Sequence, residues 1–286
     1  MSENKCVARS SSLEGPQKLG WNKMSAFRLK NKIILITGAS SGIGFAIAEQ
    51  FAKQSDGEIK LILGARRVEK LDLLKEKLVQ KYKNIDILIK FLDVSNSEHI
   101  DSFWESLPDR WADVDILVNN AGKALGQNFV GEISEEDINE CFQTNVVGMI
   151  SMTQHALKGM QMRNKGDIVQ VGSIAGRETY PSGSIYCSTK FALNAFTSSL
   201  RKELTATKIR VIEVAPGNTK TEFAQVRFGG DLEKSSKVYE GTVPLDPTDV
   251  AEIAVFACSR PENVVLSEAV IMATNQAGPS HIHRCL

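Results

Sequence analysis

Seven short stretches of the chain are almost continuously apolar and rich in β-branched residues. They are KIILIT (32–37), IKLILGA (59–65), IDILIKFLDV (85–94), VDILVNN (114–120), GDIVQVGS (166–173), IRVIEVAP (209–216) and AVIMAT (269–274). Runs that lack polar alternation fit strands covered on both faces, the usual state of a parallel sheet. Between them lie stretches of helical character such as GFAIAEQFAKQ, VEKLDLLKEKLVQKY and EHIDSFWESL. In the second of these, Leu71, Leu74 and Leu78 form the i, i+3, i+7 stripe of an amphipathic helix. Alternation of this length predicts βαβ units with right-handed crossovers, hence an α/β fold with a Rossmann-like, doubly wound parallel sheet of about seven strands. No internal repeat or second domain is expected. Residues 1–30 read as a polar N-terminal arm, and residues 31–286 as one domain. Residues 217–246 break the rhythm just after a strand, where such folds place a lid or substrate loop.

Composition changes this picture little. Among 286 residues, 42% are hydrophobic and 24% charged, an ordinary globular balance. The 34 basic residues match the 34 acidic ones, so no global field favours nucleic acid or an anionic membrane. No apolar run approaches the roughly 18 residues of a spanning helix. The first 25 residues carry Lys5, Arg9 and Lys18 but no apolar stretch, so no secretory signal is expected. Five scattered cysteines without a C-x-x-C fit reduced thiols in a cytoplasmic protein. His281 and His283 lack a surrounding ligand cluster, and no metal site is expected.

TGASSGIG (37–44) follows the first strand directly and opens a helix. Gly38, Gly42 and Gly44 suit a tight turn whose backbone N–H groups approach a pyrophosphate at the helix N-terminus. The spacing is G-x-x-x-G-x-G, so the general dinucleotide fingerprint is met only approximately. After the second strand, an NAD site would place an acid on the ribose 2′-hydroxyl. Here the chain reads Ala65-Arg66-Arg67, with no acid before Glu69. A guanidinium binds a 2′-phosphate bidentately where a carboxylate would repel it, so NADP(H) is expected. Ser40 or Ser41 offers a further hydroxyl to the same phosphate.

Tyr186 and Lys190 stand four apart in SGSIYCSTKFALNAF (182–196), one helical turn from each other. A phenol near its ordinary pKa of about 10 exchanges protons poorly at neutral pH; bringing it to about 7 takes roughly 4 kcal/mol. The lysine ammonium is expected to supply much of that, together with an oxidised nicotinamide. Ser173, at the end of the fifth run, offers a hydroxyl to a substrate carbonyl on which negative charge develops. Asn145 lies inside the helical stretch CFQTNVVGMI, where its amide competes for backbone partners.

TGASSGIG, NNAG (119–122), Asn145, Ser173, YCSTK (186–190) and PGNTKT (216–221) together resemble the short-chain dehydrogenase/reductases, in order across residues 30–275. ARRVEKL, DILVNNAGKALG, GSIAGRETYPSGSIYCSTKFAL, LRKEL and TEFAQVRFGGD resemble the NADP-dependent 3-hydroxy acid dehydrogenases of serine and allo-threonine dehydrogenase type, particularly fungal ones. The resemblance implies Tyr186 as general acid/base, Lys190 holding the nicotinamide ribose, Ser173 polarising the substrate and Asn145 holding a water that links Lys190 to a proton relay. It implies further cofactor contacts at Ile43, Asp93 (adenine), Asn120, Pro216, Gly217, Thr219 and Thr221, and a bracing role for Asn119. Thr219 departs from the usual Val or Ile.

The substrate is read less directly. A substrate acid calls for a cation, and Arg177 and Arg227 are the candidates, each equally open to a structural ion-pair role. The expected reaction is hydride transfer between NADP(H) and C3 of a short 3-hydroxy acid. A reductase of neutral ketones or aldehydes would use the same catalytic residues, and a non-catalytic NADPH-binding protein would use the same fold. Val147, Met149, Met152, Phe191 and Phe196 widen the apolar faces of two helices, and the resemblance implies that these pack subunits into a homotetramer.

Overall fold

A computed structural model describes residues 27–285; most of the arm assigned to residues 1–30 lies outside them. The run IILIT forms β1 (Ile33–Thr37), buried along its whole length. It pairs in parallel with β2 (Lys60–Ala65) on one side and β4 (Ile116–Asn119) on the other. Beyond β2 lies β3 (Asp86–Phe91); beyond β4 follow β5 (Gly166–Val171), β6 (Ile209–Pro216) and β7 (Glu268–Ile271). The resulting sheet is parallel throughout, in the order β3-β2-β1-β4-β5-β6-β7. Strand order reverses between β1 and β4, and the crevice above that switch point is where open α/β sheets bind ligands.

Both faces are covered, which explains the unbroken apolar runs. Ile34 and Ile36 join a cluster with Phe51, Leu71 and Val250, whereas the neighbouring Ile33 and Leu35 join another with Phe103, Met152 and Leu200. The first face carries α1 (Gly42–Gln54), α2 (Val68–Lys81) and α10 (Pro247–Cys258). The second carries α3 (Ser97–Glu105), the short α4 (Asp109–Ala112), α6 (Met149–Arg163) and α7 (Ser184–Glu203). Each large apolar side chain buried this way contributes about 1.5–3 kcal/mol. Local signals set the helix ends. Asp246 and Asp249 form a reciprocal capping box that brackets Pro247 at the start of α10, and Asn164 closes α6 in the left-handed region at φ 48°.

Three boundaries differ from the sequence reading. The third strand stops at Phe91, because Asp93 accepts from the backbone and hydroxyl of Ser95 and turns the chain. β5 stops at Val171, leaving Ser173 to cap a single 3₁₀ turn, Ile174–Gly176. The helical stretch around Asn145 is α5 (Glu135–Phe142) followed by a π-helical turn, Gln143–Gly148, that runs into α6. A side chain on Gly148 would lie 1.9 Å from the Val94 carbonyl oxygen, so only glycine lets this turn press against the end of the third strand's loop. Met149 and Met152, expected on an outer apolar face, are core residues, while Val147 (49% exposed) and Phe191 (40%) face outward. Residues 217–246 carry α8 (Phe223–Arg227) and α9 (Leu232–Lys237).

Candidate active site

The carboxyl ends of the strands open into one cavity of about 650 Å³. At one end, β1 turns into α1 through Gly38, whose φ of 66° belongs to the left-handed region. Asn120 fastens this turn from β4's end, donating to the carbonyls of Thr37 (2.9 Å) and Gly38 (3.2 Å). Gly44 packs so tightly here that a Cβ would lie 2.4 Å from the Asn120 amide and 2.5 Å from the Gly38 carbonyl oxygen. A cradle this close, opening at a helix N-terminus with no acid in its first turn, suits a phosphate-bearing ligand.

Arg66, Arg67, Ser40 and Ser41 line the same end. Arg67 donates to Ser41 Oγ (2.9 Å) and Ser40 Oγ (3.3 Å), and pairs with Glu222 at 2.8 Å. Lys70 reaches the other oxygen of Glu222 at 2.7 Å. Asp93 lies alongside. Burial works against its ionisation, but the Ser95 hydrogen bonds and the charges of Arg66 and Lys123 hold its carboxyl below the usual range. A cluster with this donor set fits an anionic ribose phosphate.

Toward β5 and β6 the cavity meets Ser173, Tyr186 and Lys190. The first turns of α7 aim Tyr186 and Lys190 inward; Lys190 is buried and Tyr186 is half-buried at the cavity wall. Burial pushes the Tyr186 phenol well above its ordinary value; the Ser173 hydroxyl hydrogen bond opposes this, Tyr180 adds to it and Arg227 opposes it. Lys190 donates to the Val171 carbonyl at 2.9 Å, and its Nζ lies 5.9 Å from the Tyr186 ring centre. Burial lowers Lys190 to about 8, with Glu213 pulling it back up. The Lys190 ammonium is disfavoured by burial and gives one of its three donors to a carbonyl, so phenolate formation calls for the second positive charge expected beside it, that of an oxidised nicotinamide.

Asn145 is buried in the π-helical turn. Its amide donates to the Lys123 carbonyl (2.7 Å) and Thr189 Oγ1 (3.0 Å), and its oxygen accepts from the Lys123 N–H (2.8 Å). A Cβ on Gly122 would lie 3.3 Å from that oxygen and 3.8 Å from Lys190 Nζ, so the glycine keeps the gap between them open. Asn119 donates to Thr153 Oγ1 at 2.9 Å, tying the sheet to α6.

Ile43, Pro216, Gly217, Thr219 and Thr221 also line the cavity. Gly217 and the Thr219 hydroxyl hold the strand's exit, with the hydroxyl donating to the Gly217 carbonyl at 3.0 Å. Thr221 Oγ1 accepts from the Phe223 N–H at 3.1 Å.

The two candidate cations part company. Arg177 turns away from the cavity to Glu213 (3.0 Å), Glu268 and the Gly176 carbonyl (3.1 Å), which is an ion-pair role. Arg227 lines the cavity, held by the carbonyls of Gly126 (3.0 Å) and Ser182 (3.0 Å) and by the Tyr180 hydroxyl (2.9 Å). Three of its five N–H donors are thus used and two remain. Ser182 sits at φ 61°, a strained turn that aims its carbonyl at this guanidinium.

Sequence reasoning missed Tyr180, Lys123, Glu222, Phe223 and Gln276, which line the same cavity. Phe223 lays its ring 5.5 Å from that of Tyr186. Lys123, directly after NNAG, is a buried cation paired with Glu140, and its unusual placement was the one available signal.

A phosphate cradle leading into a Ser–Tyr–Lys group, both at the ends of parallel strands, places the molecule among the nucleotide-dependent oxidoreductases. Residues 32–230 match the family described as short chain dehydrogenase, and the chain belongs to that family. It is 48% identical over 257 residues to the NADP-dependent 3-hydroxy acid dehydrogenase of Schizosaccharomyces pombe, covering 90% of this chain and 98% of the relative. It is 37% identical over 246 residues to sulfoacetaldehyde reductase 2 of Chromohalobacter salexigens, covering 86% and 95%. Among solved structures, the closed form of serine dehydrogenase complexed with NADP+ superposes with a TM-score of 0.81 at 38% identity, covering 88% of this chain and 99% of that one.

Proposed function

We propose that the protein is an NADP-dependent oxidoreductase acting between the C3 hydroxyl and carbonyl forms of short 3-hydroxy acids, of the serine, allo-threonine or 3-hydroxybutyrate kind. The observation that carries this reading is Arg227, a guanidinium with two unused donors at the cavity wall near Tyr186. The fungal relative's name specifies a 3-hydroxy acid, and the bacterial reductase's name an aldehyde that also carries an anionic group.

The nicotinamide, when bound, supplies or accepts the hydride and in its oxidised form brings a positive charge. Gly38, Gly42, Ile43, Gly44, Asn120, Pro216, Gly217, Thr219 and Thr221 would line its path, and Ser40, Ser41, Arg66 and Arg67 would hold the 2′-phosphate, with Asp93 at the adenine. Arg227 clamps the substrate carboxylate. Ser173 donates its hydroxyl proton in a hydrogen bond to the substrate oxygen as negative charge gathers there. Tyr186 gives a proton to that oxygen in reduction and takes one in oxidation. Lys190 holds positive charge behind the phenol, and Asn145 faces the gap through which a proton reaches Lys190. Residues 217–246 act as the substrate loop over this site.

We place the protein in the cytoplasm and assemble it as a homotetramer through the outward faces of the π-helical turn and α7, where Val147 and Phe191 expose apolar surface. The function is tested by following nicotinamide absorbance with NADP+ and matched pairs, a 3-hydroxy acid against its neutral methyl ester and L-serine against serinol. Turnover of the acids alone supports the reading. Equal turnover of the neutral partners transfers the protein to the carbonyl reductases.

A further inference from the structure

Glu222 is an acid where the cofactor reading asks for none. It belongs to the root of the 217–246 loop, yet its carboxylate lies on two cations at the start of α2, Arg67 at the N-cap and Lys70 in the first turn. One oxygen is 2.8 Å from Arg67 and the other 2.7 Å from Lys70. Arg67 at the same time donates to Ser41 and Ser40, so the hydroxyls expected around a ribose phosphate and the glutamate share one guanidinium. The loop root is fitted to this place. A Cβ on Gly42 would lie 3.2 Å from the Thr221 side chain, so residue 221 packs directly on the phosphate turn. The hydrogen bond from Lys70 and then that from Arg67 hold the Glu222 carboxyl below its usual range against burial, which makes it an anion at any pH of assay.

We propose that Glu222 is a resident anion in the 2′-phosphate site, displaced when the cofactor's phosphate enters, so that phosphate binding unfastens the root of the loop. This rests on the NADP reading above. The magnitudes favour displacement. Both partners are more than a third exposed on the Arg67 side (42% and 36%), and pairs of this kind contribute little. A phosphate monoester carries close to two negative charges and offers three acceptor oxygens, against one charge on the carboxylate. A ribose carrying only a 2′-hydroxyl has no charge with which to displace Glu222. Glu222 thus weakens the phosphorylated cofactor and leaves the unphosphorylated one nearly untouched, setting the ratio between the two from a loop remote in sequence.

The test is calorimetric binding of adenosine 2′,5′-bisphosphate and adenosine 5′-monophosphate to the wild-type chain and to Glu222→Gln. The expected result is that the substitution tightens the bisphosphate about three- to tenfold, as removal of a weak competing ion pair would, with the monophosphate changed less than about twofold. Hydrogen exchange of residues 221–228 should rise when the bisphosphate binds the wild type, and in Glu222→Gln should start high and stay there. Unchanged or weaker bisphosphate binding by the variant overturns the proposal, as does a fall in wild-type exchange on binding. If the wild type itself shows no preference for the bisphosphate, the NADP reading fails and takes this one with it. If that preference is present but Glu222→Gln leaves it unaltered, only the displacement fails.

Discussion

Replacing Arg227 by glutamine separates its two jobs. In the structure the guanidinium braces three elements through Gly126, Ser182 and Tyr180, and two donors are left for a ligand. A bidentate, charge-assisted contact to a carboxylate in a partly buried site is worth about 3 kcal/mol, or about 150-fold in kcat/KM. Glutamine is about two bonds shorter and carries no charge, so it loses the ionic contact outright and loosens the bracing. The acid substrate should therefore lose about two orders of magnitude. The neutral ester should lose less than about tenfold, since it feels only the loosened bracing. The assay is initial-rate nicotinamide absorbance with a 3-hydroxy acid and its methyl ester, run on wild type and variant, and the quantity of interest is the ratio of the two specificities. If acid and ester fall together, Arg227 is only a brace, and the carboxylate is bound elsewhere or not at all.

Other consequences are equally direct. Arg67→Met should raise KM for NADP+ about 10- to 100-fold while moving NAD+ much less, read from rates with both cofactors. In the reductive direction Tyr186 must be protonated and Lys190 charged. Tyr186 stays protonated because its pKa is raised, while Lys190 loses its proton near pH 8, so kcat/KM should decline as pH rises through about 8. Because Glu213 holds Lys190 up, Glu213→Gln should move that decline to lower pH in a full pH profile; an unmoved profile would separate the decline from Lys190. Gly44→Ala forces a methyl to within 2.5 Å of the Gly38 carbonyl oxygen. It should cost about 1–3 kcal/mol, seen as a fall of several degrees in Tm, and should weaken nucleotide binding.

The sheet was legible because burial on both faces removes polar alternation: Ile34 and Leu35 point into different cores, and neither position tolerates a charge. The glycine turn, Ser173, Tyr186 and Lys190 were legible because each sits at a strand end or within one helical turn of a partner. What stayed hidden depends on contacts distant in sequence. Tyr180 matters through Arg227, 47 residues on, and Glu222 through Arg67, 155 residues back. The π-helical turn at 143–148 is set by the fit of Gly148 against Val94, which no local spacing reports. Spacing places Lys190 beside Tyr186 but carries no information about burial, and burial raises the one pKa while lowering the other.

In the proposed reaction Tyr186 moves the proton that accompanies hydride transfer to or from a 3-hydroxy acid. Tyr186→Phe removes only the phenolic oxygen, so binding of NADP+, measured by calorimetry, should stay within about twofold of wild type. Turnover of the 3-hydroxy acid should fall by at least about 10²- to 10⁴-fold, the share general acid–base catalysis supplies. A variant that binds the nucleotide normally and still turns the acid over at a wild-type rate would contradict the account.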